Sequence, residues 1–418
     1  MRKRLSLALV ATLCLASAWT VGAQSASPSA AACHSAPSTA KVPCFQRLLD
    51  ARLESQGVAA SMTLLEQLVE TEPVVRDNSH MFAHMLGLAA YTTPGELATV
   101  FSKCSPNFQS GCYHGVIQAY FVDRQRKSPG GEIGAAEINS LCRDFRGRSE
   151  SWLLFQCAHG LGHGLELIYA HDLPRALKGC DLVASPWERA GCNGGAFMEN
   201  VVSATNPEQT AEHMTAGDGA HDDMAGMDMG SMDHSVGATK RFKAFDPADP
   251  LYPCSALPER YGTECYGMQT SLILFEKQGD FATASSVCEA SPANFRTTCF
   301  MSLGRDANSY AGNDPRAAAQ NCMKAAERFR PWCHVGVARN LVDLTSHPAD
   351  GFSYCALLAD NPSRVTCYSA IGEAITLLAT APARRRELCA AAPPPYDAAC
   401  LYGARVSATR PDGLASPR

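Results

Sequence analysis

After the first two dozen residues the sequence has no long hydrophobic run, and nothing there approaches the ~20 consecutive apolar residues that a membrane helix needs. Charge is sparse as well: Asp, Glu, Lys and Arg make up 18% of the 418 residues, and the net charge is -5. That balance lacks the basic footprint of a nucleic-acid-binding protein. Alternating polar and apolar stretches are scarce, so sheet architectures have little to build on. Catalytic signatures are missing too. There is no G-x-S-x-G elbow, no H-E-x-x-H, no glycine loop to cradle phosphate, no C-x-x-C-H haem attachment site and no H-x-H pair of the multicopper oxidases.

What is present begins at the N-terminus. Met1-Arg2-Lys3-Arg4 precedes an apolar run over residues 5–21, and Val21-Gly22-Ala23 stands before Gln24. A basic start, a short apolar stretch and small residues at the cleavage positions predict a secretory signal peptide over residues 1–23. The mature chain would be periplasmic or secreted, with no membrane span after cleavage. Residues 24–43 read as a linker that contains the first disulfide.

The chain carries 19 cysteines. Cys14 lies in the signal segment, and the rest form close pairs: Cys33/Cys44, Cys104/Cys112, Cys142/Cys157, Cys180/Cys192, Cys254/Cys265, Cys288/Cys299, Cys322/Cys333, Cys355/Cys367 and Cys389/Cys400. In an oxidising compartment such pairs are expected to be disulfides. Each would close a loop of about a dozen residues, worth about 2–4 kcal/mol if unstrained. From Cys265 the steps to Cys299, Cys333, Cys367 and Cys400 are 34, 34, 34 and 33 residues. A fixed period of that size marks a stacked repeat. The earlier steps are 35 (Cys157 to Cys192), 45 (Cys112 to Cys157) and 68 (Cys44 to Cys112). The last is two periods, with the missing marker expected at Asn78. The longer steps imply insertions near residues 127–134 and between Cys192 and Cys265.

Within a repeat the pattern is helical. An amphipathic stretch follows the second cysteine, as in Cys265 to Phe275, then a break such as Gly279-Asp280-Phe281, then a shorter helix to the next cysteine. Thr93-Pro94-Gly95-Glu96, Asp172-Leu173-Pro174 and Asp314-Pro315 have helix-start chemistry. The expected fold is all-α: a right-handed α-solenoid of about nine to ten 34-residue helical hairpins, one local disulfide in most of them. Residues 44–202 would hold the N-terminal repeats, 203–246 an insertion, 247–408 the C-terminal repeats and 409–418 a tail. The period, with Phe275-x3-Gly279-Asp280-Phe281-x2-Ala284 and Ser302-Leu303-Gly304, resembles the tetratricopeptide and Sel1-like families, the secreted type with one disulfide per repeat. The resemblance implies a curved superhelix whose concave face can hold a partner.

The register gives the histidines a shared address. Counted from each second cysteine, or from Asn78, position +2 holds His80, His114 and His159, and position +6 holds His84, Gln118 and His163. The next repeat has Met198 at +6. Equivalent positions of stacked helices lie side by side, about 8–10 Å apart between axes. Imidazoles from neighbouring helices can share an ion across that distance. His80, His84, His114, His159 and His163, with Met198, are therefore the candidate metal ligands. Packed structural histidines, or an acid/base site without metal, are the other readings of the same stripe. Further along, the +6 address holds Arg305, Arg339 and Glu373, read as ion pairs between repeats or as an anion clamp.

The insertion contains His213, Met214, His221, Met224, Met227, Met229, Met232 and His234, without helical periodicity. Thioether sulfur selects Cu(I), and imidazole holds Cu(II). Met229-Gly-Ser-Met232-Asp233-His234 resembles the Met/His-rich stretches of periplasmic copper-resistance proteins, which implies copper capture. Taken together, the residues point to an exported metal-binding repeat protein, copper first and zinc second, in metal capture, tolerance or delivery. Two further readings stay open: a metal-dependent enzyme of hydrolysis or oxidation built on the five histidines, and a scaffold holding a periplasmic protein or peptide on its concave face.

Overall fold

A computed structural model of the chain describes residues 29–92, 96–128, 131–148, 151–205 and 242–416. The expected signal peptide, Cys14, Thr93-Pro94-Gly95 and all eight His and Met residues of the Met/His-rich segment lie outside the described residues. Among those described there are twenty α-helices and no β-strand. In chain order they are α1 (Ala30–His34), α2 (Ser38–Thr71), α3 (Pro73–Asp77), α4 (Ser79–Ala90), α5 (Leu97–Phe101), α6 (Gly111–Lys127), α7 (Ala135–Leu141), α8 (Trp152–Ile168), α9 (Leu173–Cys180) and α10 (Pro186–Thr205). After the insertion come α11 (Gly262–Tyr266), α12 (Gln269–Glu276), α13 (Phe281–Ala290), α14 (Arg296–Tyr310), α15 (Pro315–Cys322), α16 (Arg330–Thr345), α17 (Pro348–Leu357), α18 (Asn361–Leu378), α19 (Pro382–Cys389) and α20 (Asp397–Gly403). No helix of the described residues is long and apolar enough to cross a membrane.

The helix that carries each second cysteine packs on its counterpart in the next repeat. Thus α4 lies on α6, α6 on α8, α8 on α10, α10 on α11 and α12, α12 on α14, α14 on α16, α16 on α18, and α18 on α20. The shorter helices sit beside these pairs, as α9 does against α8 and α10. Asp172, Asp280, Asp314 and Asp360 start α9, α13, α15 and α18 by accepting a backbone N–H at the open helix end, each worth about 1 kcal/mol. Between the layers run fully buried side chains such as Phe82, Leu86, Val116, Leu161, Phe300, Leu303, Val337 and Ile371. Each contributes about 1.5–3 kcal/mol.

Nine disulfides run from Cys33–Cys44 to Cys389–Cys400; eight tie the end of a shorter helix or its following loop to the next cysteine-bearing helix, and Cys254–Cys265 ties a turn to α11. All bridge Cα atoms 5.4 to 5.7 Å apart. So many bridges fit an oxidising environment of the extracellular type. Two local expectations differ. The stretch after Cys265 is two helices, because the chain breaks at Gly267-Met268, where Arg305 Nη1 donates to the Gly267 carbonyl (2.6 Å). Residues 30–34 and 38–43, read as linker, are helical, and α2 is broken at Gly57 (φ +80°).

Close approach of the long helices depends on glycines at two repeat positions. A Cβ at Gly115 would run into the His84 carbonyl, and one at Gly87 into the Cys112 carbonyl. The same reciprocal contact joins Gly195 to the His159 carbonyl and Gly162 to Cys192, Gly336 to Met301 and Gly304 to Cys333, and Gly403 to Ser369 and Gly372 to Cys400. The glycines stand at +3 of one repeat and +5 of the one before it, so in these pairs the backbones touch.

This contact also corrects the register of the repeat without cysteines. Gly115 meets His84 just as Gly195 meets His159, so His84, not His80, holds the +2 address, and the missing marker is Phe82 rather than Asn78. The slip is four residues, about one helical turn, which keeps both histidines on the same face. Gly336→Ala should therefore lower stability by about 2–3 kcal/mol through overpacking. Gly134→Ala, where a Cβ meets nothing within 4 Å and the backbone is extended (φ -91°), should cost at most about 1 kcal/mol. Denaturant unfolding of the two variants checks the order.

Candidate metal centre

Three consecutive long helices, α4, α6 and α8, bring the histidines together. On α4 the His80 and His84 rings are 6.1 Å apart, and His80 is 5.9 Å from His114 of α6. His114 lies 4.9 Å from His159 and 4.8 Å from His163 of α8, and those two are 5.1 Å apart. The five thus form one contiguous row. Three of them converge: one ligand nitrogen from each of His114, His159 and His163 lies within 4.8 Å of the other two. A tetrahedral ion with bonds of about 2.0–2.1 Å needs ligand atoms about 3.4 Å apart.

Four of the five rings, all but His84, are held at one nitrogen. His163 Nδ1 donates to Glu199 Oε2 of α10 at 2.6 Å, and Gln118 Nε2 donates to the same oxygen at 3.2 Å. His114 Nε2 donates to Gln156 Oε1 (3.3 Å), His80 Nδ1 donates to the Phe108 carbonyl (2.9 Å), and His159 bonds the backbone of Gly191. Opposite these anchors, His163 Nε2 and His114 Nδ1 are buried with no hydrogen-bond partner among the described residues, and so is His84 Nδ1. A buried orphan nitrogen costs about 1–3 kcal/mol. A carboxylate that holds the far nitrogen of an imidazole is also how metal sites fix the tautomer and aim the free nitrogen. The residues therefore fit an ion at His114, His159 and His163.

Burial sets the protonation state. It pushes His84, His114 and His159 well below the usual imidazole range and His80 down as well, with the neighbouring histidines adding repulsion. Deprotonated imidazole is the form that binds metal.

The row borders a cavity of about 480 Å³. Trp152, Phe155, Gln156, His114, His159 and Met198 line one side, and Arg305, Arg339, Asn340, Asp343, Glu373 and Leu377 the other. The two sides are joined directly: the Phe108 amide donates to the Leu344 carbonyl of α16 at 3.1 Å. Residues 108–110, which precede α6, are all left-handed (φ 58°, 52° and 61°). They carry both that bond and the carbonyl that anchors His80.

Of the six expected ligands, three converge, His80 and His84 continue the row, and Met198 lies on the cavity beside His114 and His159. Sequence reasoning did not find the anchoring role of Glu199, the part of Gln156, or the opposite wall. The repeating glycines at +3 were a signal for the close helix contact. Arg339 pairs with Glu373 of the next long helix, as the reading of ion pairs between repeats had it, whereas Arg305 pairs with its neighbour Asp306 within α14 (2.8 Å). No family model matches the chain, and comparison with curated proteins and with solved structures finds no match.

The lowered histidines fix the sign of a pH effect. Their folded pKa lies below the reference value of 6.5, so the unfolded chain binds more protons on acidification. Stability is full above pH 6.5 and falls below it, by at most about 1.4 kcal/mol per pH unit for each group. Urea unfolding of metal-free protein should show this decline between pH 7 and 5, and His114→Gln should flatten it.

Proposed function

We propose that the chain is an exported α-solenoid that binds a transition-metal ion at His114, His159 and His163, copper first and zinc second. Its role is metal capture, tolerance or delivery. The observation that carries this reading is the convergence of three buried imidazoles, with Glu199 holding His163 from behind and two ring nitrogens left without partners. An all-imidazole set without a carboxylate ligand suits copper or zinc. Met198, at the cavity edge, adds a soft donor that favours copper. The repeat reading rests on the cysteine period, the helix-on-helix order and the recurring glycine contact, and it describes a right-handed superhelix of about nine to ten hairpins. The Met/His-rich residues, beginning just after α10, would supply a second, looser copper-binding segment.

A metal-dependent enzyme is the second reading, favoured by one observation. His114 and His159 border the cavity, so an ion with three protein ligands would keep a position open towards a substrate, as catalytic zinc sites do.

Metal analysis of protein purified from an oxidising compartment is the decisive measurement. About one tightly held copper or zinc per chain is expected, and none above background would overturn the reading. Replacing His159 and His163 with alanine should remove the ion. Glu199→Gln should weaken it about 10- to 100-fold while the ligands remain. Deleting residues 206–240 should leave the tight ion in place and reduce Cu(I) uptake.

A further inference from the structure

Across the cavity from the histidines stands a wall built by α14, α16 and α18. Its charges are arranged unevenly. The Arg305 guanidinium is taken up by Asp306, Ser271, Ser302 and the Gly267 carbonyl, and Arg339 pairs with Glu373. That leaves Asp343. It lines the cavity, and among the described residues no hydrogen bond reaches its carboxyl; the charge acting on it is that of Arg339, one turn earlier on α16.

The space between the walls is large enough for a guest. At about 480 Å³ it falls in the range of roughly 300–1,000 Å³ that small-molecule sites occupy. Trp152, Phe155 and Leu377 give it an apolar side, and Phe155 stacks near both His159 (5.9 Å) and Trp187 (5.8 Å). A divalent ion held by neutral imidazoles makes one wall positive, while Asp343 makes the other negative. A simple anion drawn to the metal would leave that carboxylate unmatched, and a simple cation drawn to Asp343 would face the metal charge.

We infer that the cavity binds a small zwitterion of the amino-acid class, its carboxylate on the histidine-held ion, its ammonium on Asp343 and its side chain against Trp152 and Phe155. This rests on the metal reading of the histidine site. Asp343 suits the task in a further respect. It is accessible at the cavity and no group among the described residues hydrogen-bonds to its carboxyl, so a guest can reach it. An arriving ammonium supplies the missing partner and holds it ionised.

The test uses the full chain loaded with Zn(II), with zinc content measured before and after each titration. L-Phenylalanine is titrated calorimetrically beside 3-phenylpropionate, which lacks the ammonium, and phenethylamine, which lacks the carboxylate. Phenylalanine is expected to bind at least about tenfold tighter than either analogue. Asp343→Asn should lose that preference while its affinity for 3-phenylpropionate and its melting temperature stay unchanged. Zinc-free protein should bind phenylalanine at least about tenfold more weakly than loaded protein. If zinc stays bound and the three probes bind alike or not at all, or if Asp343→Asn changes nothing, the inference falls and the metal site stands. Equal binding by zinc-free protein overturns it as well. A chain that holds no zinc before any probe is added overturns the metal reading, and with it this one.

Discussion

Backbone contact between successive long helices is the constraint on which the rest depends. Where glycine occupies +3 of one helix and +5 of its predecessor, the carbonyl of one lies where a Cβ of the other would be. The pairs α4/α6, α8/α10, α14/α16 and α18/α20 meet this way. Between α6 and α8 the +5 residue is Ile117, whose side chain packs directly on Gly160. Side chains one or two positions from these contacts have no room to spread apart. His84, His114 and His159 stand one residue before a +3 position: His80 and His114 meet across the α4/α6 backbone contact, whereas His114 meets His159 and His163 across α6/α8, where Ile117 packs on Gly160.

Crowding alone would give a row of buried, unfavourable groups. The difference lies in the second ring nitrogens. Glu199, Gln156 and the Phe108 carbonyl each take one nitrogen, fixing the tautomer and orientation of His163, His114 and His80. His163 Nε2 and His114 Nδ1 are then left buried without a partner among the described residues. Burial keeps His84, His114 and His159 deprotonated at neutral pH, which removes the competition of protons for the lone pairs. Packing, hydrogen bonding and desolvation thus act in the same direction. Glu199 lies on α10, one repeat beyond the ring that it holds, so orientation of the site is a property of the stack and not of one helix.

The cavity joins parts of the chain far apart in sequence. Residues 108–110 adopt left-handed backbone at three consecutive non-glycine positions, a conformation that needs support from its surroundings. The support comes from both sides: the Phe108 carbonyl accepts from His80, and its amide donates to Leu344. The histidine wall and the Asp343 wall are therefore tied through one short loop, and the space between them has a defined width.

Much of this was legible in the residues. Cysteine spacing reveals the period, because each bridge is local and a repeat must reuse it. Aspartate before proline marks helix starts, since both features act within one turn. The shared histidine address follows from the period, and even a slip of one helical turn at His80 and His84 left them on the correct face. Other features were decided by tertiary structure alone. Which nitrogen of His163 is free depends on Glu199 from a neighbouring helix. The placement of Arg339 and Asp343 on the cavity that His114 lines depends on contacts between residues far apart in sequence, such as Phe108 with Leu344. Local chemistry is written in local sequence, whereas the cavity is lined by residues from both halves of the chain that only the tertiary structure brings together.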